Sequence, residues 1–370
     1  MEYICFALDI IGATQYGNFV TLLVSFPKAG AGHFYFSGGR EMLFKMPPEW
    51  APHQRMFMAW PVPDPVWSDN LLCARKAFAL AARTVCAFEP VTMLVNPGQE
   101  QLAGELCGPE IDILTVRHDD CWVRDNGCTF VINQEDFSLH GIHWNFNAWG
   151  GKYPNYEYDR LVASFLCQQY LVPEHGVPLV LEGGSIHTNG RDTLLTTEEC
   201  LLNPNRNPFL SRDEITAFLC SALGVSRVIY LPYGLFGDET DGHVDNIACF
   251  IDENTVLIPH TDDTEDPNYQ RLLAARRTAA KEGLTVQSII QPPQVEHDGR
   301  PLTLSYVNFV FVNGGIVMPG FGGDLCEYDA LAKAQICALF PDRKVVQILT
   351  RDIIIGGGNI HCITQQMPAV

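Results

Sequence analysis

Short-range cysteine pairs are missing from this chain. Its thirteen cysteines include no Cys-x-x-Cys and no His/Cys cluster at zinc spacing. That argues against a structural zinc module and a redox dithiol. Their number is odd and their positions are scattered, so they read as reduced thiols of a cytoplasmic protein. Basic residues are few as well. The 24 Lys and Arg face 43 Asp and Glu, a net charge of −19. This balance argues against a nucleic-acid partner and suits a small cationic ligand. No apolar run reaches the length of a membrane-spanning helix. No segment is of low complexity, no repeat is visible in the sequence, and no linker divides it. With 47% apolar residues in 370, a sizeable core is expected.

The first 45 residues lack the features of a signal peptide. The apolar stretch 19–24 follows Glu2 and Asp9 instead of basic residues, and no small-residue cleavage site comes after it. We read 1–45 as an extension and 46–370 as one domain.

What is present alternates between strand and helix patterns. Residues 56–60 read as a strand ended by Pro61. Ser68 reads as the N-cap of a helix running to about 88, with Leu71, Ala74, Phe78, Ala81 and Val85 at helical spacing. Strands are expected at 91–95, 111–116, 129–132, 140–146, 178–181, 193–196, 228–231, 247–251, 255–258, 307–312 and 316–318, and near 286 and 345. Further helices are expected after Pro97, at 159–170, 211–223, 268–281 and 325–339. Many strands come as neighbouring pairs, which favours a mixed α/β sheet arrangement over a doubly wound parallel one.

Four Gly- and acid-rich blocks stand beside strand ends, where a rigid scaffold carries function. They centre on Asp125, Glu182, His243 and Cys362. The last follows 353–355, an Ile run that reads as a buried strand, and then three glycines that permit close approach. Each block has a plain alternative: a turn aspartate, a loop carboxylate, a satisfied histidine, a buried structural cysteine. Together they suit one substrate type. A guanidinium is planar and cationic, and carboxylates match its N–H fork. Asp125 and Asp245 would hold it, Cys362 would attack its central carbon, and His243 would move protons with Glu182 behind it. The carboxylates would raise the thiol pKa and the bound cation would offset this, so the substrate would activate its own nucleophile. Asp119, Asp120, Glu239 and Asp241 add acid around the expected pocket, where the sole Arg of these blocks is Arg124. Glu239 would take a distal ammonium, and Trp122 would pack on an alkyl chain.

These residues resemble the agmatine deiminases of the guanidino-group-modifying, or pentein, superfamily. The resemblance rests on Met46-Pro47-Pro48-Glu49-Trp50-Ala51-Pro52-His53, Trp122-Val123-Arg124-Asp125 and Glu182-Gly183-Gly184-Ser185-Ile186-His187. It continues through Leu194 to Arg206, Gly242-His243-Val244-Asp245-Asn246 and Gly356 to Gln366. It implies a five-bladed α/β-propeller of ββαβ units and hydrolysis of agmatine to N-carbamoylputrescine and ammonia in polyamine synthesis. It further implies no metal or cofactor and a homodimer. The family's roles fall on Cys362, as carrier of an amidino-thioether, and on His243, Glu182, Asp125 and Asp245. Cys128 stands where the family usually has Pro, and residues 1–45 have no counterpart. Three other readings compete: a deiminase or amidinotransferase of free or peptidyl arginine; a metallohydrolase built on His118, Asp119, Asp120, His243 and Asp245; and a polyamine-binding protein without catalysis.

Overall fold

A computed structural model describes residues 10–16, 19–24, 43–67 and 70–370. The expected N-cap Ser68 lies outside the described residues. The helix it was to begin spans Leu71–Cys86. Of the residues read at helical spacing, Ala74, Phe78, Ala81 and Val85 are buried, with Ala77 beside them, and Leu71 is only partly buried. The small alanines bring its axis close to the neighbouring sheet. Phe78 fills the space beside Trp67 and Trp122, and removing that ring would cost about 3–5 kcal/mol.

One unit recurs five times: an antiparallel strand pair, a crossover helix, then a strand parallel to the second of the pair. His187–Thr188 and Thr193–Thr197 form such a pair, helix Arg212–Leu223 crosses over, and Arg227–Leu231 closes the sheet. This helix starts on a capping box, Ser211 with Glu214, and ends at Gly224 in the left-handed conformation. Cys249–Phe250, Thr255–His260 and Thr285–Ile290 repeat the arrangement around helix Tyr269–Lys281. Val310–Val312, Gly315–Gly320 and Lys344–Leu349 repeat it around helix Cys326–Leu339. Thr129–Asn133, Leu139–Asn145 and Glu174–Val180 do so around helix Asp159–Gln169, with Phe44–Lys45 added at the edge. In the fifth sheet the antiparallel pair joins the two ends of the domain: Gln365–Pro368 lies on His53–Ala59. Val91–Val95 and Asp112–Thr115 extend that sheet in parallel.

Several expectations change: the strand expected at 307–312 is Val310–Val312, and the one expected at 56–60 is His53–Ala59. Residues 351–354 form a short helix, not a strand. An apolar run of this length fits either form, and the glycines after it end a helix as readily as a strand. The strand expected at 247–251 shrinks to Cys249–Phe250, because Val244–Asn246 forms a 3-10 turn just before it. The strand expected at 178–181 begins earlier, at Glu174. Phe44 is buried and pairs with Asn133, so packed structure reaches two residues before Met46. Residues Ile10–Tyr16 and Phe19–Val24 form an antiparallel hairpin.

The repeat positions the site. Each unit must connect its last strand to the next pair, and every one of those connections carries a polar group to one place. Asp125 follows the sheet of Asp112–Thr115, and Glu182 follows Glu174–Val180. His243 and Asp245 follow Arg227–Leu231, Asn308 follows Thr285–Ile290, and Cys362 follows Lys344–Leu349.

Candidate active site

Asp125 sits in the one-turn helix Val123–Asn126. Its Oδ1 accepts from the Gly184 backbone N–H at 2.9 Å and its Oδ2 from the Trp149 indole at 2.8 Å. Glu182 opens the 3-10 turn Gly183–Ser185. Its Oε1 accepts from Arg206 Nε at 3.0 Å, and its Oε2 lies 3.4 Å from His243 Nε2. The other ring nitrogen of His243, Nδ1, has no hydrogen-bond partner although it is buried. It lies 3.8 Å from Asp125 Oδ1. Asp245 Oδ2 lies 3.4 Å from the Cys362 sulfur, while Asp245 Oδ1 is buried and unpartnered. The structure therefore brings Cys362, His243, Glu182, Asp125 and Asp245 together.

Gly184 is what lets them converge. A Cβ built there would lie 2.6 Å from His243 Nδ1, 2.9 Å from Asp125 Oδ1 and 2.9 Å from Asp245 Oδ2. The glycines at 356–358 serve the same need on the other side. A Cβ on Gly356 would strike the Trp67 ring at 2.3 Å, and one on Gly358 the Trp122 ring at 2.5 Å. Trp122 walls the cleft, and Trp67 stacks behind it at 6.2 Å.

The cleft is about 380 Å³. Trp122, Asp125, Trp149, Tyr153, Glu239 and Cys362 line it. Glu239 Oε2 accepts from the Tyr153 hydroxyl at 3.0 Å, and Oε1 lies 3.5 Å from Arg300. Other expected acids lie elsewhere. Asp119 and Asp120 line a larger cavity, about 920 Å³, on the far side of Trp149 and Tyr153. Asp241 pairs with Lys152 and Arg206. Arg124 turns away to Glu49, Gln366 and the His361 carbonyl. The larger cavity holds no thiol, so the smaller cleft is the candidate for covalent chemistry.

Electrostatics separate the two halves of the clamp. Burial raises the pKa of Asp125, and Asp245 adds to this; His243 only partly offsets it. Burial acts on Asp245 too, but His361 outweighs it and the pKa is lowered. Burial opposes a charge on His243, yet Asp125, Cys200 and Glu182 hold its pKa well above the ordinary value. Burial would raise Glu182, and Arg206 and His243 lower it. Burial, Asp245 and Asp125 push the Cys362 thiol well up, against hydrogen bonds from Asn359 and Asn308.

Sequence reasoning missed Asn308, whose Nδ2 donates to the Cys362 sulfur at 3.2 Å. The available signal was positional: 308 lies on the fifth connection between units, away from the glycine and acids at 296–299. It also missed Trp149, Tyr153, Arg206 and Arg300, which reach the site from outside the four blocks. Cys200 was set aside as an ordinary thiol. It is buried and donates to Glu182 Oε2 at 3.9 Å, but it does not line the cleft.

Two groups among the described residues have ligand atoms close enough for a metal: Glu49, His187 and His361, and Glu182, Cys200 and His243. In the first, His361 already spends both nitrogens on carboxylates, each at 2.8 Å. In the second, the thiol pKa is raised by burial, which disfavours the thiolate a metal needs. His118 bonds to the carbonyls of Trp60 and Val116 and is remote from His243 in this network. The five-residue metal set expected from sequence is therefore not assembled.

Residues 45–368 match the family described as Porphyromonas-type peptidyl-arginine deiminase. The agmatine deiminase of Stutzerimonas stutzeri is 44% identical over 356 residues, covering 88% of this chain and 96% of that protein. The agmatine deiminase of Pseudomonas fluorescens is 42% identical over 360 residues, with the same 88% and 96% coverage. Among solved structures, the agmatine deiminase of Enterococcus faecalis matches with a TM-score of 0.84 at 36% identity. That match covers 88% of this chain and 96% of the other.

Proposed function

The chain belongs to the Porphyromonas-type peptidyl-arginine deiminase family, on its agmatine deiminase branch within the pentein superfamily, and we propose that it hydrolyses agmatine to N-carbamoylputrescine and ammonia. The observation that carries this reading is the convergence at Gly184: two carboxylates and an unpartnered imidazole nitrogen within 2.9 Å of one point, with Cys362 bonded to one of the carboxylates. A guanidinium supplies an N–H donor for the unpartnered Asp245 Oδ1 and a positive charge that offsets both carboxylates.

The guanidinium lies between Asp125 and Asp245. Its charge offsets the two carboxylates that keep Cys362 protonated, so the thiol gives its proton up to solvent on binding, with Asn308 donating to the thiolate. The sulfur attacks the central carbon and forms a neutral tetrahedral adduct. His243, an imidazolium at this stage, protonates one amino group, and ammonia leaves as the C–N bond breaks. The amidino-thioether remains on Cys362. Neutral His243 then takes a proton from water, hydroxide adds to the same carbon, and the C–S bond breaks as the new hydroxyl gives its proton to solvent, releasing the carbamoyl product and the Cys362 thiolate. Glu182, anchored by Arg206, stabilises the imidazolium throughout. Glu239 receives the distal ammonium, and Trp122 covers the butyl chain.

Further parts of this reading go with it. The five repeated units form the blades of a five-bladed propeller around the site. Residues 46–370 are one catalytic domain, and 1–45 are an extension to it. The enzyme works without metal or cofactor, as a homodimer, in the cytoplasm, in the synthesis of putrescine and other polyamines. No described helix is long and apolar enough to cross a membrane.

The test is ammonia release from agmatine, free arginine and a peptidyl arginine. Arginine brings a carboxylate up against that of Glu239, and this like-charge contact should give agmatine an advantage of about a hundredfold in kcat/KM. Acid-quenched enzyme should carry the amidino adduct on Cys362, and EDTA should leave the rate unchanged. Comparable efficiency on arginine, or an adduct on Cys200, would overturn the reading.

A further inference from the structure

His361 precedes the nucleophile in sequence, yet its ring does not line the cleft. It lies in the interior, where Nδ1 is 2.8 Å from Asp245 Oδ2 and Nε2 is 2.8 Å from Glu49 Oε1. Glu49 comes from the start of the domain and His361 from its end, 312 residues apart. We propose that Glu49 and His361 are a positioning pair for the Asp245 half of the clamp: an imidazolium held between two carboxylates, which fixes Asp245 as an anion with one oxygen left open for the substrate. The proposal rests on the reading that Asp245 receives a guanidinium.

The hydrogen-bond inventory carries the argument. A neutral imidazole has one N–H and one lone pair. With carboxylate oxygens at 2.8 Å from both nitrogens, a neutral ring between two anions would set a lone pair against a lone pair. Protonating one carboxylate is the other solution, and the surroundings oppose it at Glu49. Arg124 Nη1 donates to the same Glu49 Oε1 at 3.2 Å. The charges then balance: Glu49 and Asp245 against His361 and Arg124.

Every group facing this cluster fits. His187 Nδ1 accepts from the Phe250 backbone N–H, so its own proton is on Nε2, 3.6 Å from Glu49 Oε2. Cys249 lies beside Glu49 with its thiol pushed well up by burial and by that carboxylate. Cys362 stands on the far side of Asp245, also as a thiol. Asp125 and His243 face Asp245 across Gly184. Burial opposes charge on Glu49, but His361, Arg124 and His187 hold its pKa well below the ordinary value. Burial and Arg124 oppose charge on His361, and Glu49 and Asp245 outweigh them. Asp245 thus spends Oδ2 on the pair and keeps Oδ1 unpartnered. Asp125, whose Oδ1 and Oδ2 both accept from N–H groups within the protein, has no such cation behind it.

The first measurement needs no substrate. In protein labelled with 15N at histidine, the His361 imidazole, assigned as the signal absent from His361→Gln, should keep both nitrogens protonated at about pH 8, well above the usual histidine range, beside that of His243. That signal should titrate near about pH 6.5 in Glu49→Gln. A His361 ring with a single proton at pH 8 in the unaltered protein would overturn the proposal, whatever the substrate is.

The second measurement is the pH profile of kcat/KM on agmatine. Glu49→Gln should lose about tenfold or more at pH 8, mainly through KM. It should recover between about pH 5 and 6.5, where His361 reprotonates unaided. Glu49→Asp should restore most of the loss at pH 8, and His361→Gln should not recover at any pH. A Glu49→Gln profile parallel to that of the unaltered enzyme would overturn the pair. Failure of the unaltered enzyme to turn over agmatine, with the doubly protonated ring still present, would overturn the substrate reading and leave the pair standing.

Discussion

Two histidines are buried on opposite sides of the nucleophile, and they differ in what their nitrogens touch. His361 meets a carboxylate at 2.8 Å on each side. His243 meets Glu182 at 3.4 Å on one side and has no hydrogen-bond partner on the other. Both have raised pKa values, against the burial that opposes their charge. A perturbed pKa alone therefore does not separate the acid–base group from the positioning group. The unspent nitrogen does, because a proton carrier needs one position free for the substrate, whereas a saturated imidazolium can only hold its neighbours in place.

Substituting the free histidine should give the largest effect. His243→Gln should lower kcat by about a thousandfold or more, since acid–base catalysis is worth about 10²–10⁴, while KM for agmatine changes little. Initial rates and direct binding measure this. A His243→Gln enzyme that retains a tenth of its activity would end the distinction between the two rings. Gly184→Ala tests the space in front of the free nitrogen. Its methyl group would sit 2.6 Å from Nδ1 and 2.9 Å from both clamp oxygens, so a neighbour must move. The expected result is a loss of about a hundredfold in kcat/KM without a matching loss of Tm. Near-normal turnover in Gly184→Ala would mean that the close approach of His243, Asp125 and Asp245 at Gly184 is not needed for catalysis.

The His243 side of this contrast was more legible in the sequence than the His361 side. Asp125, Glu182, His243, Asp245 and Cys362 stand in blocks whose glycines and acids mark them, because close approach and charge leave a compositional trace. Most strands and helices were legible too, since their periodicity is local. The fivefold unit was not: it is a repeat of topology, and helix 71–86 shares its pattern of burial, not its letters, with the other four crossovers. Glu49 was quoted only as part of a motif, and its partner His361 lies 312 residues away. Nothing in the spacing of either could show that they meet. Asn308 stood nine residues beyond the nearest glycine of its connection, Gly299, among residues with no acid to mark it. The acids Asp119, Asp120 and Asp241 misled, because composition counts charge without showing which side of Trp149 it falls on or which lysine and arginine already hold it.

The smallest expected effect concerns stability and sharpens the contrast from the His361 side. A raised histidine pKa contributes stability that is fully present below the unfolded value, about 6.5, and is lost as the pH rises through the folded value. The lowered carboxylates behave in the opposite sense. Glu49 and Asp245 contribute stability above their unfolded values, about 4, and lose it as the pH falls through their folded values. The Tm gap between the unaltered protein and His361→Gln should therefore be widest between about pH 4 and 6.5 and should narrow on both sides. For a chain of this size the narrowing should be a few degrees, at about 2–4 °C per kcal/mol. His243→Gln should show the alkaline narrowing, because the His243 pKa is raised in the same direction. Its acidic limb should differ, because Asp125 has a raised pKa and destabilises the fold as it ionises. Thermal unfolding of the three proteins across about pH 2 to 9 measures this. A gap for His361→Gln that stays constant over that range would mean that its ring is neutral and merely packed, and the two histidines would then differ in geometry but not in charge.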